Sequence, residues 1–308
     1  MQTSRLSDAE IEERLVPPDG PVSLVLDTDT YNEIDDQFAL FYALLSDRLT
    51  VEAVYAAPFH NRRSSGPADG MEKSYEEILR VMDRMGVDRG GDVFRGARSF
   101  LSSRSEPVSS SAVEDLIRKG LAVRETPLYV VAIGAITNIA SALLLEPDLV
   151  RRVIVVWLGG HPHGWTNNEE FNLRQDATAA QVVFDSGVPL IHVPCRNVAE
   201  HIRTTLPEIE RYVKGRGGIG DYLYEIYRDY SSDPYARSKV LWDIGTIAYL
   251  NRPEWMPSTL TPAPILNDDR TWGRSETARH PVRVATHANR DAIFADLFRK
   301  LEQHSSRS

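Results

Sequence analysis

Between Leu26 and Phe38 the chain places five carboxylates within ten residues: Asp27, Asp29, Glu33, Asp35 and Asp36. The apolar run Val22, Leu24, Val25, Leu26 precedes them, and the helical pattern Phe38, Phe41, Leu44, Leu45 follows. A strand that feeds acids into a turn and then a helix presents them at the carboxyl end of a strand, where open α/β sheets bind ligands. Two carboxylates ~4 Å apart repel by roughly 4 kcal/mol at a surface-like effective dielectric. No Lys or Arg lies between Pro21 and Asp47 to neutralise them, so a hard cation such as Ca²⁺ or Mg²⁺ is the expected partner. Acids solvated at a helix N-terminus, where the helix dipole favours negative charge, account for Asp35 and Asp36. They do not account for Asp27 and Asp29, which leave an apolar strand. The metal reading is therefore preferred.

The rest of the chain alternates strands and helices. Thr50 to Ala57 reads as a second strand and Met71 to Met85 as a helix, with Ile78, Leu79, Met82 and Met85 at helical spacing. Pro127 to Ile133 and Val153 to Leu158 are near-continuous apolar runs, the pattern of parallel strands covered on both faces. Helices are expected at Ile136 to Leu145 and Ala177 to Phe184, with a short strand at Pro189 to Val193. Leu206 to Leu250 reads as largely helical, with Gly215 to Gly220 as a flexible joint; no preceding strand or following Lys-Ser/Thr makes it a phosphate loop. Val282 to Ala285 closes the strands and Arg290 to Leu301 the helices. The expectation is one α/β domain over 1–308, an open, mostly parallel sheet flanked by helices around a Rossmann-like core, with 206–250 part of the same domain.

Composition narrows the function classes. A net charge of −9 argues against a nucleic-acid surface, which needs clustered Lys and Arg. One cysteine, Cys195, excludes an internal disulfide framework; it reads as a small buried packing residue after an apolar stretch. Residues 1–20 carry scattered charges and no apolar core of a signal peptide, and no run is long enough for a membrane span. A cytoplasmic protein with no membrane partner is expected.

Three further segments carry polar groups where strands end: Ile133 to Asn138, Leu158 to His161 running on to Asn172, and Leu241-Trp242-Asp243. Singly, each has an ordinary explanation as a helix cap or a polar loop. Together they bring amides, a carboxylate and backbone carbonyls to the sheet edge of the acidic cluster, which suits a cation and a polyhydroxylated ligand.

Asp27-Thr28-Asp29 with Asp35-Asp36, Ile133 to Ala140, Glu170-Phe171-Asn172 and Asp243, taken in this order, resemble the nucleoside hydrolases, the Ca²⁺-dependent N-ribohydrolases that include the inosine-uridine preferring enzymes. The resemblance implies that Asp29, Asp36 and Asp243 bind Ca²⁺ through carboxylates and Thr137 through its main-chain carbonyl. It implies that Asp35, Glu170 and Asn172 hold the sugar, that Asp29 is the base for a Ca²⁺-bound water, and that Asp27 supports this shell. It further implies a small nucleoside substrate, purine or pyrimidine, and a homo-oligomer, dimer or tetramer. The chemistry agrees: cleavage of an N-glycosidic bond passes through an oxocarbenium-like sugar and needs nearby negative charge and an activated water.

Three departures from the family pattern stand out. Thr30 to Ile34 makes the first motif two residues longer. Trp242 occupies a position where a histidine serves the leaving base in other members. Gly164 stands where an asparagine is expected, with Asn167 and Asn168 as substitutes, Asn168 being taken as substrate-binding. Trp242 cannot deliver a proton at neutral pH but can stack on a base. His60, just beyond the second strand, is the first choice for leaving-group acid and Tyr31 the second, with Asn32, Asn61, His161 and His163 as further candidates. Two rival functions were weighed: a non-catalytic metal- and ribose-binding paralogue, against which an intact Asp29 speaks, and a haloacid-dehalogenase-like phosphatase, for which the later Gly-Asp motif is missing.

Overall fold

The structure is a computed structural model and describes residues 6–87, 92–273 and 279–306. In chain order the elements are α1 (Asp8–Arg14), β1 (Val22–Thr28), α2 (Asp35–Leu44), β2 (Leu49–Ala56), α3 (Pro67–Arg84), β3 (Val93–Arg95), α4 (Ser111–Leu121), β4 (Leu128–Ala132) and α5 (Thr137–Leu145). There follow β5 (Val153–Leu158), α6 (Phe171–Gln175), α7 (Ala177–Ser186), β6 (Leu190–Val193), β7 (Arg203–Thr205), α8 (Leu206–Tyr212) and α9 (Gly217–Asp229). The chain ends with β8 (Ser238–Val240), α10 (Ile244–Asn251), β9 (Ser258–Pro262), β10 (Ile265–Leu266), β11 (Trp272–Gly273), β12 (Pro281–Ala285) and α11 (Arg290–Ser305).

Eight strands form one sheet in the order β3-β2-β1-β4-β5-β6-β12-β9, parallel throughout except for β9, which runs antiparallel to β12 at the edge. Parallel strands joined by helical crossovers must be covered on both faces, and the period of two along each strand divides the core accordingly. Leu24, Leu26, Val131 and Val156 join one buried cluster with Phe38 and Phe41 of α2, Ile247 of α10 and Phe294 of α11. Val25, Val130, Val155 and Trp157 join the other with Leu116 of α4, Ile139 of α5 and Val183 of α7. The first six strands have the dinucleotide-fold order, which reverses direction between β1 and β4. Ligands bind at such a reversal, outside the carboxyl ends of the strands. Among the described residues no helix is long and apolar enough to cross a membrane.

The expected strands and helices are all present, their bounds shifted by a few residues. The region 206–250 is less uniform than expected: β8 interrupts the helices and pairs antiparallel with β7. Gly215 and Gly217, both at positive φ, make the turn, and the glycine-rich run then enters α9 rather than forming a loose joint.

At the end of β5 the fully buried Trp157 donates to the Gly134 carbonyl at 3.2 Å and meets Phe184 edge-on at 5.9 Å. A Cβ on Gly159 would lie 2.3 Å from this indole, so the residue that turns the chain there has to be glycine. Trp157→Ala is expected to cost about 3–5 kcal/mol of stability, as large aromatic truncations in cores do. Urea unfolding followed by circular dichroism measures it; a loss below about 1 kcal/mol would contradict this account of the core.

Candidate active site

The carboxyl ends of β1, β4 and β5 and the start of α10 converge on a cleft of about 510 Å³. Its lining includes Asp35, Asp36, Ile133, Leu158, Glu170, Asn172, Trp242 and Asp243, drawn from all four segments singled out in the sequence. Asp27, Asp29, Asp35, Asp36 and Asp243 are all buried.

One carboxylate oxygen from each of Asp35, Asp36 and Asp243 falls within a sphere of contacts no wider than 4.8 Å, a spacing suited to a shared metal ion. Asp36 accepts from the Thr28 hydroxyl at 2.6 Å. Both oxygens of Asp29 are buried without a hydrogen-bond partner, and so is Oδ1 of Asp27. Burial, then the charges of Asp36, Asp35 and Asp27, push the Asp29 carboxyl well above the usual range. Burial followed by the charges of Asp35, Asp36 and Asp29 does the same for Asp243. Burial and Asp35 raise Asp36 to about 8, and burial alone raises Asp27 to about 7 against the Asn138 hydrogen bond. A buried carboxylate left unpartnered is costly. A cation bound among these oxygens removes that cost, so the donor set fits a hard divalent metal.

The fold adds a cation that the local sequence lacks. Lys239, delivered by β8, lies 2.7 Å from Glu33 and 3.4 Å from Asp35. Burial alone would lower its pKa, but the Asp35 and Glu33 charges outweigh this and raise it. Asp35 also accepts the Trp242 backbone N–H at 3.0 Å. Lys239 therefore offsets the charge of Glu33 and Asp35, while no Lys or Arg pairs with Asp29, Asp36 or Asp243 among the described ion pairs.

On the opposite wall Glu170 caps α6. It receives the backbone N–H groups of Gly160, Asn172 and Leu173 at 2.7 to 3.0 Å, which fixes both of its oxygens. Asn172 spends its amide N–H₂ on the Ile133 and Leu158 carbonyls, at 3.0 Å each, and keeps its oxygen for a ligand. Gly134 leaves room for Asp29, since a Cβ there would sit 3.0 Å from that carboxyl carbon. Thr137 opens α5, and its hydroxyl is tied to Asp176. Asn138 bridges Asp27 and the Ala97 N–H, holding the end of β1 against the start of α5.

Two of the expected site residues lie outside the lining of this cleft. His60 is exposed and is not among the cleft's lining residues, and its backbone N–H is tied to Gln175. Asn168 is fully buried away from the cleft and holds the loop by accepting the His161 N–H at 2.8 Å. His161 itself lines the cleft, 9% exposed, with Nδ1 unpartnered. Cys195 is buried as expected, yet it also lines the cleft. His163 and His192 stack behind the loop and share a 3.1 Å contact; burial lowers them to about 4 and about 3, so they form a neutral scaffold.

Residues 24–296 match the family model described as inosine-uridine preferring nucleoside hydrolase. The chain belongs to that family. It is an enzyme of the nucleoside hydrolase class, which cleaves N-glycosidic bonds. It is 27% identical over 257 residues to the pyrimidine-specific ribonucleoside hydrolase RihA of Enterobacter sp. (strain 638), covering 75% of this chain and 79% of the relative. Among solved structures it superposes on a plant nucleoside hydrolase, PpNRh1, with TM-score 0.73 at 20% identity, covering 92% of this chain and 99% of that one. It also superposes on the type III effector protein XopQ, solved with adenosine diphosphate ribose, with TM-score 0.67 at 18% identity, covering 97% and 99%. The family is metal-dependent, and Asp35, Asp36 and Asp243 form a buried cluster that could hold a metal ion.

The raised carboxylates give a signed pH dependence. With Asp27 at about 7 and Asp36 at about 8 in the fold and near 3.9 when unfolded, the folded state binds protons more tightly. Their contribution is complete below about pH 4 and is lost as pH rises through 7 and 8. Chelator-treated nucleoside hydrolase is therefore expected to lose stability from about pH 5 to about pH 8. A divalent cation, which binds the ionised carboxylates, should restore stability most at the upper end. Thermal unfolding with and without chelator tests this; equal stability at both pH values under chelation would contradict it.

Proposed function

We propose that this nucleoside hydrolase is Ca²⁺-dependent and cleaves a ribonucleoside to ribose and free base. The observation that carries the ion assignment is Asp29, whose two buried oxygens have no protein partner beside an all-oxygen donor set. Asp29, Asp36, Asp243 and the Thr137 main-chain carbonyl would hold the ion. Held there, the ion would supply Lewis-acid chemistry that lowers the pKa of a bound water.

The protein's own groups do the rest. Asp29, buried with both carboxylate oxygens unpartnered, is the general base for the attacking water. Asp35, anchored by the Trp242 N–H and Lys239, takes a ribose hydroxyl, as does the free oxygen of Asn172. Glu170 is held rigidly by three N–H groups to receive the other end of the sugar. The surrounding carboxylates favour the positive charge that develops on the ring. Trp242 lines the base end of the cleft, and His161 replaces His60 as the histidine that faces the leaving base. Burial, followed by the Arg196 charge, lowers the His161 pKa, so it meets the base as a neutral imidazole. A homo-oligomer and a cytoplasmic location complete the reading; light scattering on purified protein measures the former.

Two outcomes are expected. Ribosides should be cleaved at least 100-fold faster than 2′-deoxyribosides, because a site built to pair hydroxyls is left unsatisfied by an analogue lacking one. Comparable kcat/KM values would contradict the roles of Asp35 and Asn172. His161→Ala should reduce kcat/KM on a natural nucleoside by roughly tenfold, the loss of one hydrogen bond from the neutral imidazole to the leaving base, and much less on p-nitrophenyl riboside, which lacks that base. Equal losses on both substrates would remove His161 from that role.

A further inference from the structure

The rim of the cleft carries positive charge that a neutral nucleoside has no use for. Arg62, Arg63 and Arg196 line it together with the acids Glu33 and Glu169. Both acids are already neutralised: Glu33 by Lys239 at 2.7 Å, Glu169 by Arg270 at 2.7 Å. Arg63 is spent on the Tyr31 and Glu33 carbonyls, at 3.3 and 3.1 Å, and lies over the Tyr31 ring. The other two are not spent. Arg62 is exposed and makes no hydrogen bond or ion pair among the described residues. Arg196, also exposed, has a single 3.4 Å contact with Glu200, an acid it shares with Arg203 at 3.7 Å. Arg196 lines the same cleft as His161, and its charge acts on that ring.

We propose that the enzyme's substrate is an anionic N-riboside, a nucleoside carrying a phosphate or diphosphate ester, with Arg62 and Arg196 receiving the phosphate at the rim. The planar guanidinium fork matches phosphate oxygens in pairs, and such charge-assisted bonds are about twice as strong as neutral ones. The cleft is then polarised along its length. Its inner end carries buried acids for a cation and the sugar, and its outer end carries arginines for an anion. The segregation also keeps the phosphate away from Asp29 and Asp243, which would repel it. This rests on the hydrolase reading above and adds the charge of the substrate to it.

The test compares adenosine with adenosine 5′-monophosphate and adenosine diphosphate ribose, and uridine with uridine 5′-monophosphate, all with Ca²⁺ at low and moderate salt. In the wild type, kcat/KM is expected to be at least tenfold higher for the phosphorylated member of each matched pair, with the preference shrinking as salt rises. A better response to adenosine diphosphate ribose than to the monophosphate assigns a diphosphate rather than a single phosphate. In the R62A/R196A double variant the ratio of phosphorylated to unphosphorylated substrate should fall at least tenfold. A ratio near one in the wild type, or a ratio unmoved in the double variant, overturns the proposal. Titration calorimetry with the same compounds separates the two readings. Tighter binding of the phosphorylated compounds without any hydrolysis supports the anion site and overturns the hydrolase reading, whereas equal binding overturns the anion site whatever the turnover.

Discussion

Burying several carboxylates together at the point where the strand order reverses constrains the rest of the structure. Like charges a few ångströms apart repel by several kcal/mol even in a polarisable protein, and desolvation adds to the cost. The fold meets it in graded fashion. Asn138 holds Asp27, Thr28 holds Asp36, and Lys239 with the Trp242 N–H holds Asp35. What remains, both oxygens of Asp29 and Oδ1 of Asp27, is the part that hydrogen bonds do not satisfy. That unsatisfied remainder carries the proposed metal site, because acids all paired within the protein would have nothing left to offer a cation.

The sheet was legible because parallel strands buried on both faces leave unbroken apolar runs, as at Leu128–Ala132 and Val153–Leu158. Elements with one face in solvent were harder. α1 went unseen although Ser7 and Glu10 form a reciprocal capping box ahead of it, a signal present in the sequence. α4 starts at the end of a serine-rich stretch, where Ser110 is its N-cap. β9 is an exposed edge strand ending in Pro262, and neither periodicity nor composition separates such a strand from a loop.

At the site, the residues at strand ends were legible because the α/β rule says where to look. Side-chain direction was not. Asn168 and His161 lie seven residues apart on one loop, yet Asn168 turns inward to hold the backbone while His161 lines the cleft. His60 follows β2 at the correct edge of the sheet and still faces solvent. Lys239 was invisible for another reason. It sits some 200 residues from its acids, and only the β7–β8 pairing carries it back to them.

The two extra residues between Asp29 and Asp35 illustrate how a site absorbs insertion without losing its geometry. Asn32 closes a turn onto the Asp29 carbonyl at 2.7 Å, and Asn61 bonds the Asn32 side chain at 2.6 Å. Arg63 gathers the carbonyls of Tyr31 and Glu33, so the added length is folded into a braced loop rather than fed into α2. Asp35 is fixed independently, from the far side, by the Trp242 N–H. That bond uses the backbone, so it holds whatever side chain stands at the position. A tryptophan there changes the side chain on the cleft wall without releasing Asp35. Asn32 and Glu33 are exposed to the cleft by the same loop. Both departures therefore fall on the wall and the rim of the cleft and leave the buried carboxylates in position.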